Sequence, residues 1–145
     1  MQIYTRKPFY YETDRMGIIH HSNYIRYMEE ARLELLKELK IDYLQLEKQN
    51  IISPVTGISC KYRKMATLES EIAIKIKIVR YTDIIIYLKY EIYDNNTGKV
   101  YALGDSEHCF LEKSTKRILK LPIDILQVDK SIRIFMENGY NSVFE

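Results

Sequence analysis

The chain has 145 residues, with 22 basic and 20 acidic side chains, a formal charge of +2, 46% hydrophobic residues, 13 Tyr and no Trp. This is the balance of one globular domain, spanning residues 1–145, and so small a charge gives no bulk attraction to nucleic acid or to an anionic membrane. No apolar run approaches the ~20 residues of a bilayer-spanning helix, the N-terminus lacks the apolar core of a secretory signal, and Cys60 and Cys109 stand apart; a cytoplasmic protein with no membrane insertion is expected.

Residues 2–10 read as a short strand ending in Phe9 and Tyr10, and residues 11–21 as a loop carrying Asp14, Gly17, His20 and His21. A helix then begins at Ser22 or Asn23, either of which can accept a bond from the first-turn N–H groups. Tyr24, Tyr27, Met28, Ala31, Leu35 and Leu39 recur at the spacing of one helical face, which predicts a helix of about 17 residues. A second short helix is expected over Tyr43–Lys48, and a strand within Ile52–Tyr62. Ile72, Ile74, Ile76 and Ile78 alternate with polar or small residues, as do Ile84, Ile86, Leu88, Tyr90 and Ile92 with a second set; both patterns are strands. Asp94–Gly98 reads as a turn, Val100–Glu112 as a third long strand, and Pro122 as the opening of a short helical tail with Ile123, Leu126, Ile132 and Phe135 as its apolar positions.

The fold class expected is α+β: a curved antiparallel sheet wrapped around one long central helix, because a helix with one broad apolar stripe needs a sheet to cover it. Apolar residues also occupy the sheet's second face (Ile85, Tyr87, Tyr93, Tyr101, Leu103), which predicts that this face or a sheet edge is covered by another subunit in a homo-oligomer.

The loop before the helix concentrates Asp14, Gly17, two His and Asn23 next to a helix N-terminus. Unpaired N–H groups at such a terminus can stabilise an oxyanion, and a nearby carboxylate can attack a carbonyl or activate water. On pattern alone, Asp14 reads more readily as a turn or capping residue than as a catalytic group. His20 and His21 lack the spacing of a metal pair and His108 is distant in sequence, so no metal site is expected; His108 reads as a sheet histidine with satisfied bonds. Lys61, Arg63 and Lys64 are suited to phosphate groups, though they read more readily as an ordinary solvated strand end.

Tyr10, Asp14, Gly17, His21, Asn23 and Tyr24, followed by Glu30-Ala31-Arg32, resemble the signature of the 4-hydroxybenzoyl-CoA thioesterase family of hotdog-fold proteins, and in particular its Tol–Pal-associated bacterial acyl-CoA thioesterase branch. Tyr62-Arg63-Lys64-Met65-Ala66, Ala102-x-Gly104-x-Ser106-x-His108 and Leu121-Pro122 extend the likeness along the chain; it departs at Lys64, which stands for Arg, at Met65, where Pro is usual, and at His20, where an aromatic residue is usual. The resemblance implies a hotdog fold and hydrolysis of an acyl-CoA thioester to a carboxylic acid and free CoA. Asp14 would be nucleophile or general base, the N–H at or near His21 the oxyanion donor, and the His21 side chain and Tyr10 would line the site. Gly17 and Asn23 would shape the substrate-binding loop, and Lys61, Arg63 and Lys64 would meet CoA. No bound cofactor is implied beyond the CoA of the substrate; the expected partners are acyl-CoA, other copies of the chain (dimer or dimer of dimers) and an acyl carrier protein, with no nucleic acid. The rival expectation is a non-catalytic hotdog module that binds acyl-CoA or acyl carrier protein.

Overall fold

A computed structural model describes residues 2–137, with strands β1 (Gln2–Arg6), β2 (Ile51–Ile52), β3 (Val55–Tyr62), β4 (Ile72–Tyr81), β5 (Ile86–Asp94), β6 (Val100–His108) and β7 (Leu111–Glu112). The helices are α1 (Ser22–Glu38), α2 (Tyr43–Lys48), α3 (Leu121–Asp124) and α4 (Leu126–Glu137). The long strands form one antiparallel sheet in the order β1-β4-β5-β6-β3, and β2 pairs separately with β7. The expected α+β class with an antiparallel sheet is present. Helix α1, 17 residues long, is accompanied by three shorter helices among the described residues.

The isoleucine alternation does what its period demands. Ile72, Ile74 and Ile76 are fully buried on β4, and the register sets Ile74 opposite Ile92 and Ile76 opposite Tyr90. Helix α1 lays Tyr24, Tyr27, Met28, Ala31 and Leu35 on the same core. Each buried large apolar side chain is worth roughly 1.5–3 kcal/mol, far above the few tenths that separate helix propensities, so packing rather than propensity holds α1.

Strand β6 presents Ala102, Gly104, Ser106 and His108 inward, a row of small residues that lets α1 approach closely. The notch at Gly104 is filled by Met28: a Cβ there would lie 2.6 Å from both Sδ and Cε of Met28. Gly104→Ala is therefore expected to push Met28 out of its seat and to destabilise the fold by about 1–3 kcal/mol, read in denaturant titration. Met28→Ala in that background should recover part of the loss if overpacking is its cause.

The turn after β5 is closed by Asp94, whose Oδ1 accepts the N–H groups of Asn96 (2.9 Å) and Thr97 (3.0 Å) while Oδ2 accepts the Tyr101 hydroxyl (2.9 Å). The Thr97 N–H and then the Tyr101 hydroxyl hold the Asp94 carboxyl well down, at about 2. Tyr101 is thus buried, bonded also to Ser70, rather than displayed on the sheet's outer face. Tyr87, Tyr93, Leu103 and Ile85 remain half-buried there.

The helical tail differs from the sequence expectation in phase. The backbone breaks at Ile125 (φ −140°), which restarts the helix at Leu126. Ile125, Val128, Ile132 and Phe135 take the inward positions, leaving Ile123 and Leu126 exposed. Asp129 pins α4 to β4 by accepting the Tyr81 hydroxyl and, at 3.0 and 3.1 Å to its two oxygens, the Arg133 Nε.

Candidate active site

The stretch expected to be a loop is a small hairpin. His20 N–H donates to Glu12 O (2.9 Å), Thr13 and Ile19 bridge, and Asp14 N–H donates to Ile18 O (2.8 Å). At its tip, Gly17 N–H returns to Asp14 O (3.1 Å) with Gly17 at φ +76°. This is a three-residue hairpin loop, a turn over Arg15 and Met16 followed by a left-handed residue, a conformation for which glycine carries no steric penalty. A Cβ at position 17 would meet nothing within 4 Å. Gly17→Ala is thus expected to cost only the backbone strain, about 1–2 kcal/mol in stability by thermal denaturation.

Asp14 opens the turn. Its Oδ1 accepts the Met16 N–H at 2.8 Å and a longer contact from Ile18 N–H at 3.4 Å, the self-bonding that suits Asp to the first turn position. The residue is half-buried.

Two anchors fix this hairpin against the rest of the chain. Ile19, 3% exposed, donates its N–H to Ala66 O at 2.9 Å, and Ile18 bridges Thr67. On the other side Asn23 Nδ2 donates to Glu12 O (2.9 Å) and His20 O (3.3 Å), tying both hairpin strands to the first turn of α1. Asn23 is buried with its amide committed to main-chain carbonyls, so it supports the loop from behind.

Glu12 was not singled out by sequence, yet it is the buried hub of this region. Its Oε1 accepts Arg6 Nη2 (2.6 Å), Phe9 N–H (2.7 Å) and the Tyr27 hydroxyl (3.0 Å). Arg6 also bonds Glu30 at 2.5 Å, and its guanidinium stacks 4.2 Å from the Tyr27 ring centre. Burial and then the Glu12 charge push the Tyr27 phenol well above its usual range. A carboxylate this buried is stable only because donors surround it.

The helix start differs from the expected cap. His21 is the residue before α1, already helical at φ −55°, and neither Ser22 nor Asn23 caps by its side chain. Instead His20 Nδ1 lies 2.8 Å from Ser22 Oγ and accepts Ser22 N–H at 3.3 Å, while Asn23 N–H goes to His20 O at 2.9 Å. The His21 N–H has no acceptor among the described residues. His21 O accepts the Tyr62 hydroxyl at 2.9 Å, and the exposed His21 ring meets the Tyr62 ring edge-on. Tyr62 thereby joins the end of β3, where Lys61, Arg63 and Lys64 are all exposed, to the start of α1. The residue class that signals this junction is an aromatic inside a basic run.

Tyr10 lies on a single 3-10 turn over Tyr10–Glu12 and is 82% exposed. Beside the helix start a cleft of about 510 Å³ is lined by Arg6, Thr13, His20, Ser22 and Arg26 among others; its wall reaches Thr13, the neighbour of Asp14. Asp14, Gly17, His21 and Asn23 are thus one local unit, with the basic segment 61–64 attached through Tyr62. Tyr10 stands on the outer side of the same turn.

Within the core, between α1 and β6, lies a second polar group. Ser106 Oγ is 2.8 Å from the Tyr90 hydroxyl and 2.7 Å from His108 Nε2, and Arg32 makes a two-pronged pair with Glu29 at 2.9 and 2.6 Å. His108 departs from the expectation of a satisfied histidine: its Nδ1 is buried and has no partner among the described residues. Burial, then the nearby Arg32 charge, pulls the His108 imidazole down to about 4. Among the described residues no group of three or more His, Cys, Asp or Glu is placed to hold a metal ion, and no helix is long and apolar enough to cross a membrane.

Residues 10–128 match the model of the Thioesterase-like superfamily. A Bacillus subtilis protein named "Putative acyl-CoA thioesterase YneP" is 33% identical over 73% of this chain and 76% of its own length. A "Putative esterase" of Aquifex aeolicus is 27% identical over 88% of this chain and 97% of its own. The crystal structure of a DHNA-CoA thioesterase from Staphylococcus aureus has a TM-score of 0.87 at 29% identity, covering 93% of this chain and 90% of that one.

Proposed function

The chain belongs to the Thioesterase-like superfamily, and from that premise we propose that it is an acyl-CoA thioesterase, hydrolysing a thioester to a carboxylic acid and free CoA. The observation that carries this reading is Asp14 at the tip of a glycine-closed hairpin whose two strands are tied by Asn23 to the first turn of α1. The fold reading that goes with it is the hotdog arrangement, with α1 as the helix inside the curved sheet.

Asp14 Oδ1 is oriented by the Met16 N–H, and its second oxygen acts on the thioester carbonyl carbon, either directly or through a water. Direct attack forms a mixed anhydride that water then opens; base catalysis delivers hydroxide to the carbonyl in one hydrolytic step. In both routes the C–S bond breaks and the sulfur leaves as the CoA thiolate, a good leaving group. The developing oxyanion is met by the His21 N–H at the positive end of α1, and a donor so placed is worth roughly 2.7–4 kcal/mol of barrier. Tyr10 and the His21 ring line the entrance, as in the Tol–Pal-associated branch that the signature resembles, and Lys61, Arg63 and Lys64 receive the CoA phosphates. Metal and bound cofactor have no assigned part.

The working unit is an oligomer. Strand β3 is a sheet edge of eight residues with Val55, Ile58 and Tyr62 exposed, and an open edge of this length favours antiparallel pairing with a second copy. Such pairing brings a partner's surface to the Tyr62–His21 junction. The half-buried outer sheet face offers a second contact for a dimer of dimers, and the location proposed is the cytoplasm.

The reading is tested by following thiol release over a panel of straight-chain and aromatic acyl-CoA esters; hydrolysis of at least one series supports it. One observation favours the rival, a binding module for acyl-CoA or acyl carrier protein: Asp14 already serves as the turn's acceptor. Tight acyl-CoA binding with no release across the panel would select the rival.

A further inference from the structure

Beside the polar group in the core lies a cavity of about 20 Å³, lined by Arg32, Ser53 and His108 and otherwise by apolar side chains such as Leu35, Leu88 and Phe110. Arg32, Ser53 and His108 are 4%, 4% and 3% exposed, and the His108 Nδ1 is itself buried without a partner among the described residues. A space of this size admits one water-sized group, so of any longer ligand only the terminal atom would occupy it, the chain lying outside.

The hydrogen-bond chain sets which kind of atom. Tyr90, 2% exposed and with its phenol raised by burial, keeps its proton. If Tyr90 donates to Ser106 Oγ, Ser106 donates in turn to His108 Nε2, and the imidazole proton resides on Nδ1. The reverse order, with Nε2 donating to Ser106 and Ser106 to Tyr90, strands two groups: the Tyr90 proton and the Nδ1 lone pair. The first order strands only the Nδ1–H, so it prevails. The Nδ1–H is then a buried donor beside a second donor group, the Arg32 guanidinium. We infer that this cavity is a binding site for a single hydrogen-bond-accepting oxygen atom, held by His108 Nδ1–H next to Arg32.

Two sources supply such an oxygen. One is a water molecule resident in the free protein. The other, which rests on the thioesterase reading, is an oxygen carried at the far end of an acyl group. Arg32 lies eleven positions beyond His21 on α1, about 16 Å along the helix axis at 1.5 Å per residue. A substrate oxygen reaching it must therefore sit far from the thioester carbon, which names the class as long-chain acyl groups with a terminal hydroxyl or oxo oxygen.

The test begins with the free full-length protein. Long-range nitrogen–proton correlation of the His108 imidazole, identified by its absence in His108→Gln, is expected to show the proton on Nδ1. A crystal structure is expected to show one oxygen at hydrogen-bond distance from that nitrogen. Structures with non-hydrolysable thioether analogues of an ω-hydroxyacyl-CoA and of its unsubstituted counterpart then separate the sources. Retention of the water in both makes water the occupant; its replacement by the ω-hydroxyl makes the substrate the occupant. A proton on Nε2, or a cavity without oxygen in all three structures, overturns the inference. None of these readouts requires turnover, so a binding protein that hydrolyses nothing still decides the question.

Discussion

Asp14→Asn is expected to lower kcat for thioester hydrolysis by roughly 10²–10⁴-fold, the usual contribution of a positioned carboxylate, with little change in thermal stability. Asn is the informative substitution because of what Asp14 does in the turn. Its Oδ1 accepts the Met16 N–H at 2.8 Å, and an amide oxygen accepts the same bond. The hairpin tip therefore keeps its shape while the negative charge, and with it both nucleophile and base, is lost. Asp14→Ala removes the turn acceptor as well, so its effect on activity mixes chemistry with geometry. An Asp14→Asn enzyme that retained most of its kcat would reduce Asp14 to a turn former, the role its pattern in sequence first suggested. Where the loss is found, single-turnover hydrolysis of the wild-type enzyme in oxygen-18 water tests the anhydride route, since label in the Asp14 carboxylate arises only when water opens the anhydride at the Asp14 carbonyl.

How far the chain can be read without coordinates follows from the range of the forces involved. The isoleucines of β4 and β5 announce themselves because burial repeats every second residue over most of a strand, and α2 falls on Tyr43–Lys48 as expected, with Asp42 accepting the Leu44 N–H as its cap. The hairpin of residues 12–20 has only three paired positions, too few to establish a period, so it read as a loop. Glu12 was overlooked for a different reason. A carboxylate counts as exposed in any hydropathy pattern, and of the donors that allow its burial Arg6 and the Phe9 N–H lie just upstream while Tyr27 comes from α1, fifteen positions on. Likewise the inward phase of α4 depends on the break at Ile125, a backbone event with no composition signal. Asp14, Gly17, His21 and Asn23 were legible as a group because they are contiguous; the attachment of Tyr62 to His21 spans 41 positions and was not.

The stability of the wild-type protein is expected to fall by on the order of 3 kcal/mol as pH drops from about 6.5 to about 4, and His108→Gln is expected to flatten that fall. The folded protein holds the His108 imidazole at about 4, through burial and then the Arg32 charge, whereas the unfolded chain titrates near the ordinary ~6.5. Between these values the unfolded state binds a proton that the folded state refuses, so stability is full above 6.5 and is lost as pH descends toward 4. The groups facing the ring explain the refusal. Arg32 stands beside it as a fixed cation, Ser106 bonds Nε2, Tyr90 closes the chain as a neutral phenol, and the carboxylate of Glu29, which favours the charged ring, is already paired with Arg32. The amide introduced by His108→Gln keeps an acceptor for Ser106 but cannot titrate. Asp94 does not confuse the reading: held near 2, it contributes stability that is lost only below its own unfolded value, about 3.8. Urea unfolding at half-unit steps from pH 7.5 to 4 gives the two slopes, and parallel slopes for wild type and variant would show that His108 is not the group whose protonation loosens the core.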